Sequence, residues 1–106
     1  MTRFITVLTT AASEAEADQI ATALVSEKLA ACVQFTPVRS RYVWKGELVK
    51  DDEVLLIIKS RRDRFEALAA RIKALHSYET PEIVMLEIAD GAPDYLAWLE
   101  AGTDCA

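Results

Sequence analysis

Two extended arms, residues 32–44 and 47–60, flank the dipeptide Lys45-Gly46. A glycine-containing connection of two residues is the mark of a tight β-hairpin, whose turn needs backbone at positive φ. Arms this long far exceed the usual strand of about 5–6 residues. The hairpin therefore commits the chain to an antiparallel sheet, and the other elements must pack against it. Pro37 removes a ladder donor from the first arm, which places that arm at an edge or gives it a bulge. Residues 54–58, VLLII, form an unbroken apolar run, as expected of a strand covered on both faces.

The flanking segments fit this frame. Residues 3–9 carry Phe4, Ile5, Val7 and Leu8, apolar on both faces, which predicts a central strand. Ser13 with Glu16 three residues later forms a capping box, and Ala17, Ile20, Ala21 and Leu24 follow at helical spacing, predicting a helix to about Leu29. Phe65, Leu68, Ile72 and Leu75 make one narrow stripe of a second helix that ends near His76. Pro81 disfavours helix at Thr80, and residues 82–88 read as a last strand. Pro93 and Gly102 bracket a short helix containing Tyr95, Leu96, Trp98 and Leu99. The order is β-α-β-β-α-β plus a C-terminal helix, an α+β, ferredoxin-like βαββαβ plan in a single domain, residues 1–106. Such a sheet has helices on one face only. One short helix is too small to cover the other face, so subunits are expected to associate through it.

Composition narrows the function classes. Hydrophobic residues make up 52% of the chain, which again favours a hidden subunit contact. The net charge of −5 argues against a general nucleic-acid binder, whose affinity comes from neutralising phosphates. The charge is uneven: residues 39–64 hold eight of the twelve Lys and Arg against five acids. That locally basic middle leaves room for an anionic ligand. No run reaches transmembrane length, the first ten residues lack the apolar core of a signal peptide, and Cys32 and Cys105 form no framework. A cytoplasmic protein with no membrane contact is expected. Cys32 reads as a small buried hydrophobe and Cys105 as a residue of the tail.

HSYETPEI, residues 76–83, holds the one histidine, followed by Glu79 and Glu82. A neutral imidazole beside two carboxylates is a candidate for binding a metal ion. A single histidine does not make a site for a borderline metal, which takes three or four ligands. The competing reading is a helix-terminal histidine set against the helix dipole.

Five segments together resemble the CutA divalent-cation tolerance family: LAACV at 29–33, YVWKGE at 42–47, EVLLIIKS at 53–60, HSYETPEI at 76–83 and YLAWL at 95–99. The likeness runs through essentially the whole chain in order. It implies a tight homotrimer in which the long hairpin reaches to neighbouring subunits and a cleft forms between them. It also implies a part in metal tolerance, with copper the ion most often named, and a binding or sensing role like that of PII-type trimers. Copper ligands proposed in the family include a cysteine near the end of the first strand and two adjacent histidines. Those positions are Thr9, Leu75 and His76 here, so two of the three proposed ligands are missing. Divalent copper is therefore expected to bind weakly, with no cofactor required.

On this footing His76, Glu79 and Glu82 are the metal candidates. Tyr42, Trp44, Tyr78 and Trp98 are assigned to the inter-subunit cleft, with Arg41 and Lys59 supplying positive charge for a small anion. Tyr95 belongs to the same aromatic set. The competing reading for the aromatics is interface core, where Tyr and Trp are enriched. No catalysis is expected. An acylphosphatase needs an asparagine, and the chain has none. A copper chaperone of this fold needs a CxxC in the first strand-to-helix connection, which here reads TTAASE. An RNA-recognition module needs stacking aromatics on its central strands, and residues 54–58 have none. Assembly itself is the remaining alternative, a trimeric scaffold that anchors other proteins.

Overall fold

A computed structural model describes residues 3–104; Cys105 lies outside them. The elements are β1 (Phe4–Ala11), α1 (Glu14–Ser26), β2 (Cys32–Trp44), β3 (Glu47–Arg61), α2 (Phe65–Leu75), β4 (Val84–Glu87) and α3 (Pro93–Gly102), with one 3-10 turn, Arg62–Arg64, leading into α2. The four strands form one antiparallel sheet in the order β2-β3-β1-β4. This is the ferredoxin-like arrangement, with β1 central and the proline-bearing β2 at an edge. Pro37 sits opposite Val54 without breaking the register, because its missing N–H lies on an edge strand.

The hairpin turn is as tight as its dipeptide demands. Trp44 pairs with Glu47, and Lys45 (φ 51°) and Gly46 (φ 83°) both sit at positive φ, as in a type I′ turn. β3 outruns its inner neighbour. The last pair of the β1–β3 ladder is Ala11 with Val54, so residues 47–53 pair with β2 alone. This two-stranded overhang makes the molecule elongated, 44 × 25 × 22 Å.

Both α1 and α2 lie on one sheet face. Ile5, Val7, Leu56 and Ile58 from the strands meet Ile20, Leu24, Leu68 and Ile72 from the helices, all with no exposed surface. Each such side chain contributes about 1.5–3 kcal/mol through burial. The other face carries Leu8, Leu55 and Ile57, half-buried, with Val84 45% and Leu86 52% exposed. The run 54–58 is thus fully buried on alternate residues only, because a single chain covers one face. α3 packs at the Arg61 end of β3, where Leu99 is fully buried and Arg61 and Arg64 both donate to the Thr103 carbonyl at 3.2 and 2.9 Å.

Several element bounds differ from the sequence expectation: β1 spans Phe4–Ala11 and not 3–9, since its pairing with β3 continues to Ala11, and β3 runs one residue further, to Arg61. α1 stops at Ser26, short of Leu29, because Lys28 takes positive φ (59°). The Lys28 N–H bonds to the Val25 carbonyl at 3.1 Å and the Leu29 N–H to Leu24 at 2.9 Å, a Schellman cap. β4 spans four residues and not seven, since its partners are limited to Ile5 through Leu8, although the Ile88 N–H still reaches the Phe4 carbonyl.

Candidate functional site

The turn after α2 is held by residues far away in sequence. Ser13 Oγ accepts from the Glu16 N–H at 3.1 Å, as a capping box requires. Glu16 then uses its carboxylate twice, accepting from the Ala12 N–H and, across the fold, from the Ser77 N–H, each at 2.9 Å. Partial burial pushes this carboxyl up, but the hydrogen bonds from Ala12 and Ser77 outweigh it and hold Glu16 below its ordinary value.

His76 makes the second tie. Its Nε2 lies 2.5 Å from the Thr10 carbonyl oxygen, and its Nδ1 lies 3.0 Å from the Tyr78 N–H. A carbonyl only accepts and a backbone N–H only donates, so Nε2 carries the proton and Nδ1 supplies the lone pair. Both ring nitrogens are thus occupied by backbone, joining the end of β1 to the start of the turn. The imidazole also packs against Tyr78, with ring centroids 4.7 Å apart. To ligate a metal it must give up one of these bonds. Thr9 is fully buried, and its Oγ1 has no hydrogen-bond partner among the described residues.

With the turn pinned, Tyr78 reaches over to the root of the hairpin overhang. Its phenol donates to Glu53 Oε2 at 2.8 Å. Glu53 is only 6% exposed. On the neighbouring strand, Tyr42 donates to Asp51 Oδ2 at 2.5 Å. Burial, then the bond to Glu53, pushes the Tyr78 phenol far above its ordinary value. The bond to Asp51 pushes Tyr42 up to about 12.

These groups border a cleft of about 640 Å³ between the overhang and the turn. Of the sequence-assigned cleft residues, Arg41, Tyr42, Trp44 and Tyr78 line it, joined by the metal candidates Glu79 and Glu82. His76 stands behind Tyr78 and is not part of the wall. Lys59 and Trp98 are elsewhere in the protomer: Lys59 Nζ donates to Gln34 Oε1 at 3.1 Å, and Trp98 lies on α3 with its ring 5.7 Å from that of Tyr95. Among the described residues no three His, Cys, Asp or Glu side chains converge to hold a metal ion.

Sequence reasoning missed Glu53 and Asp51. The hairpin turn carried the signal for part of this. With Trp44 opposite Glu47, Ser40 must face Asp51, which sets Tyr42 diagonal to that acid on one face. Glu53 shares the face two residues on. Nothing local announces that Tyr78 will close over it, because that depends on the turn after α2.

Residues 5–102 match the family model described as CutA1 divalent ion tolerance protein. The divalent-cation tolerance protein CutA of Thermus thermophilus is 51% identical over 98 residues, covering 92% of this chain and 95% of that one. Its counterpart in Yersinia pestis is 47% identical, covering 92% and 82%. Among solved structures, a periplasmic divalent cation tolerance protein CutA from Archaeoglobus fulgidus superposes with a TM-score of 0.94 at 35% identity, over 95% of this chain and 99% of that one.

Proposed function

The chain belongs to the CutA1 divalent ion tolerance protein family, and from that premise we propose that it serves divalent-cation tolerance as a homotrimer that binds or senses a cation or small ligand in the cleft beside Tyr78. The family is named for tolerance and for no reaction. The observation that carries the reading is the cleft itself. A buried carboxylate, Glu53, fixes Tyr78, and two exposed carboxylates stand on the same wall: Glu82, and Glu79, whose one ion pair, with Lys45 at 3.9 Å, is solvent-exposed and gives way to a ligand.

Association favours the same picture. Leu8, Leu55, Ile57, Val84 and Leu86 share one sheet face that a lone chain leaves partly open, and a two-stranded overhang is marginal in water by itself. Copies of the chain supply the missing layer, and the overhang then reaches a neighbour and encloses the cleft. Glu79 and Glu82 need one or two further ligands for a metal ion, and the neighbouring subunit is their source. With both His76 nitrogens engaged, carboxylate oxygens are the principal donors. Oxygen donors without thiolate fit weak rather than tight copper binding. No helix among the described residues is long and apolar enough to cross a membrane; a cytoplasmic location is part of this proposal.

The test is calorimetric titration of the demetallated protein with copper(II) and zinc(II). Weak saturable binding is expected, reduced at least severalfold in the double variant Glu79→Gln/Glu82→Gln. No binding, or binding indifferent to both substitutions, overturns the metal part of the reading.

A further inference from the structure

The cleft has a chemical bias that a bare metal ion does not use. Tyr42 and Tyr78 both spend their O–H on carboxylates, Asp51 and Glu53. What each phenol presents to a ligand is therefore its oxygen lone pairs and its ring face. Glu79 and Glu82 add acceptors only, the lining hydroxyls of Thr10, Ser40, Ser77 and Thr80 can turn to accept as well as donate, and Trp44 adds the largest aromatic face. Among the described lining residues Arg41 alone carries a cationic side chain, and one of its N–H groups, on Nη1, donates to the carbonyl of Ser40 at 2.9 Å. A concave surface of aromatic rings and hydrogen-bond acceptors complements an organic cation: an apolar stem against the rings and an ammonium donating to the acceptors. The acceptors are also spread along the wall, with no three converging among the described residues, which fits a ligand with separated donors better than one compact ion.

The protein already places such a group there. Lys45 Nζ stands 5.7 Å from the centre of the Trp44 ring and 3.9 Å from Glu79 Oε2. An alkylammonium thus bridges two lining residues of the cleft. Lys45 and Glu79 are both largely exposed, so this pair contributes little and gives way easily.

From this we infer that the cleft takes an alkylammonium ligand, a linear diamine or polyamine, which displaces Lys45 from Trp44 and Glu79. The inference rests on the cleft being a binding site, as proposed above, and names the ligand class.

The test is calorimetric titration of the intact protein with 1,4-diaminobutane and spermidine, with succinate as the anionic counterpart and copper(II) as a separate arm. Saturable amine binding without succinate binding is expected. Glu79→Gln is expected to weaken amine binding at least fivefold. Lys45→Ala is expected to tighten it severalfold, whereas Lys50→Ala, which removes the same charge from the hairpin outside the cleft wall, leaves it unchanged. Equal gains from both lysine variants would mean general attraction to an acidic protein and would overturn the inference. Copper binding with no amine binding overturns the ligand class alone. Silence in every arm overturns the binding site itself.

Discussion

The phenol of Tyr78 donates to the carboxylate of Glu53 across 25 positions of sequence, and this bond closes the turn after α2 onto the root of the hairpin. Glu53 is 6% exposed, so the bond satisfies a charge that water scarcely reaches. Tyr78→Phe leaves that carboxylate without its phenol and should cost about 1–3 kcal/mol, read from denaturant unfolding. An unchanged midpoint would show that Glu53 is satisfied by other means.

The same bonds set an alkaline limit. All three tyrosines are raised above 10.0: Tyr78 by burial and then Glu53, Tyr42 by Asp51 to about 12, and Tyr95 by burial and then the charge at Cys32. A phenol raised in the folded state contributes stability that is fully present below the unfolded value and lost as pH climbs through the folded one. Stability should therefore begin to fall near pH 10 and keep falling through about 12. Ultraviolet titration should find no phenol ionising at the ordinary value while the fold persists. A tyrosine titrating near 10 would refute this.

Lys28 sits at φ 59° in the cap that ends α1. A side chain there costs about 1–2 kcal/mol that glycine avoids. Lys28→Gly should raise the denaturation midpoint by an amount near the lower figure, since glycine also gains freedom when unfolded. A lowered midpoint would mean that the lysine side chain makes a contact worth more than the strain.

Leu86 is 52% exposed on the sheet face away from the helices. In a lone chain Leu86→Glu would be nearly neutral, within about 0.5 kcal/mol. In the proposed trimer it buries an unpaired charge between subunits. Light scattering should show the native protein at three times the chain mass, and the variant at the mass of one chain with its far-ultraviolet dichroism intact. A native monomer, or a variant that stays trimeric, would remove the second-face interface.

The sequence carried the fold because its signals were local and agreed with one another. Lys45-Gly46 set the hairpin register, the stripe from Phe65 to Leu75 set α2, and Pro37 set the edge. The end of α1 was misplaced because nothing in Ser26-Glu27-Lys28 advertises a lysine in the left-handed region. The site was legible by residue type and obscure by role. Tyr42, Trp44, Tyr78, Glu79 and Glu82 do come together, but the sequence leaves His76 between a metal candidate and a helix-terminal residue, and only the fold shows Thr10 and the Tyr78 N–H at its two nitrogens. Those partners lie 66 and two positions away, and only the closed fold brings the distant one near.

The most direct test of a cation-binding cleft uses Trp44, whose indole lines it. Copper(II) is paramagnetic and broadens nuclear resonances close to it. In a spectrum of the isotope-labelled protein, substoichiometric copper should broaden the Trp44 indole N–H and the Tyr78 and Glu79 amides before the amides of α1. A Trp44 signal that stays sharp while copper is bound would place the ion elsewhere and contradict the account.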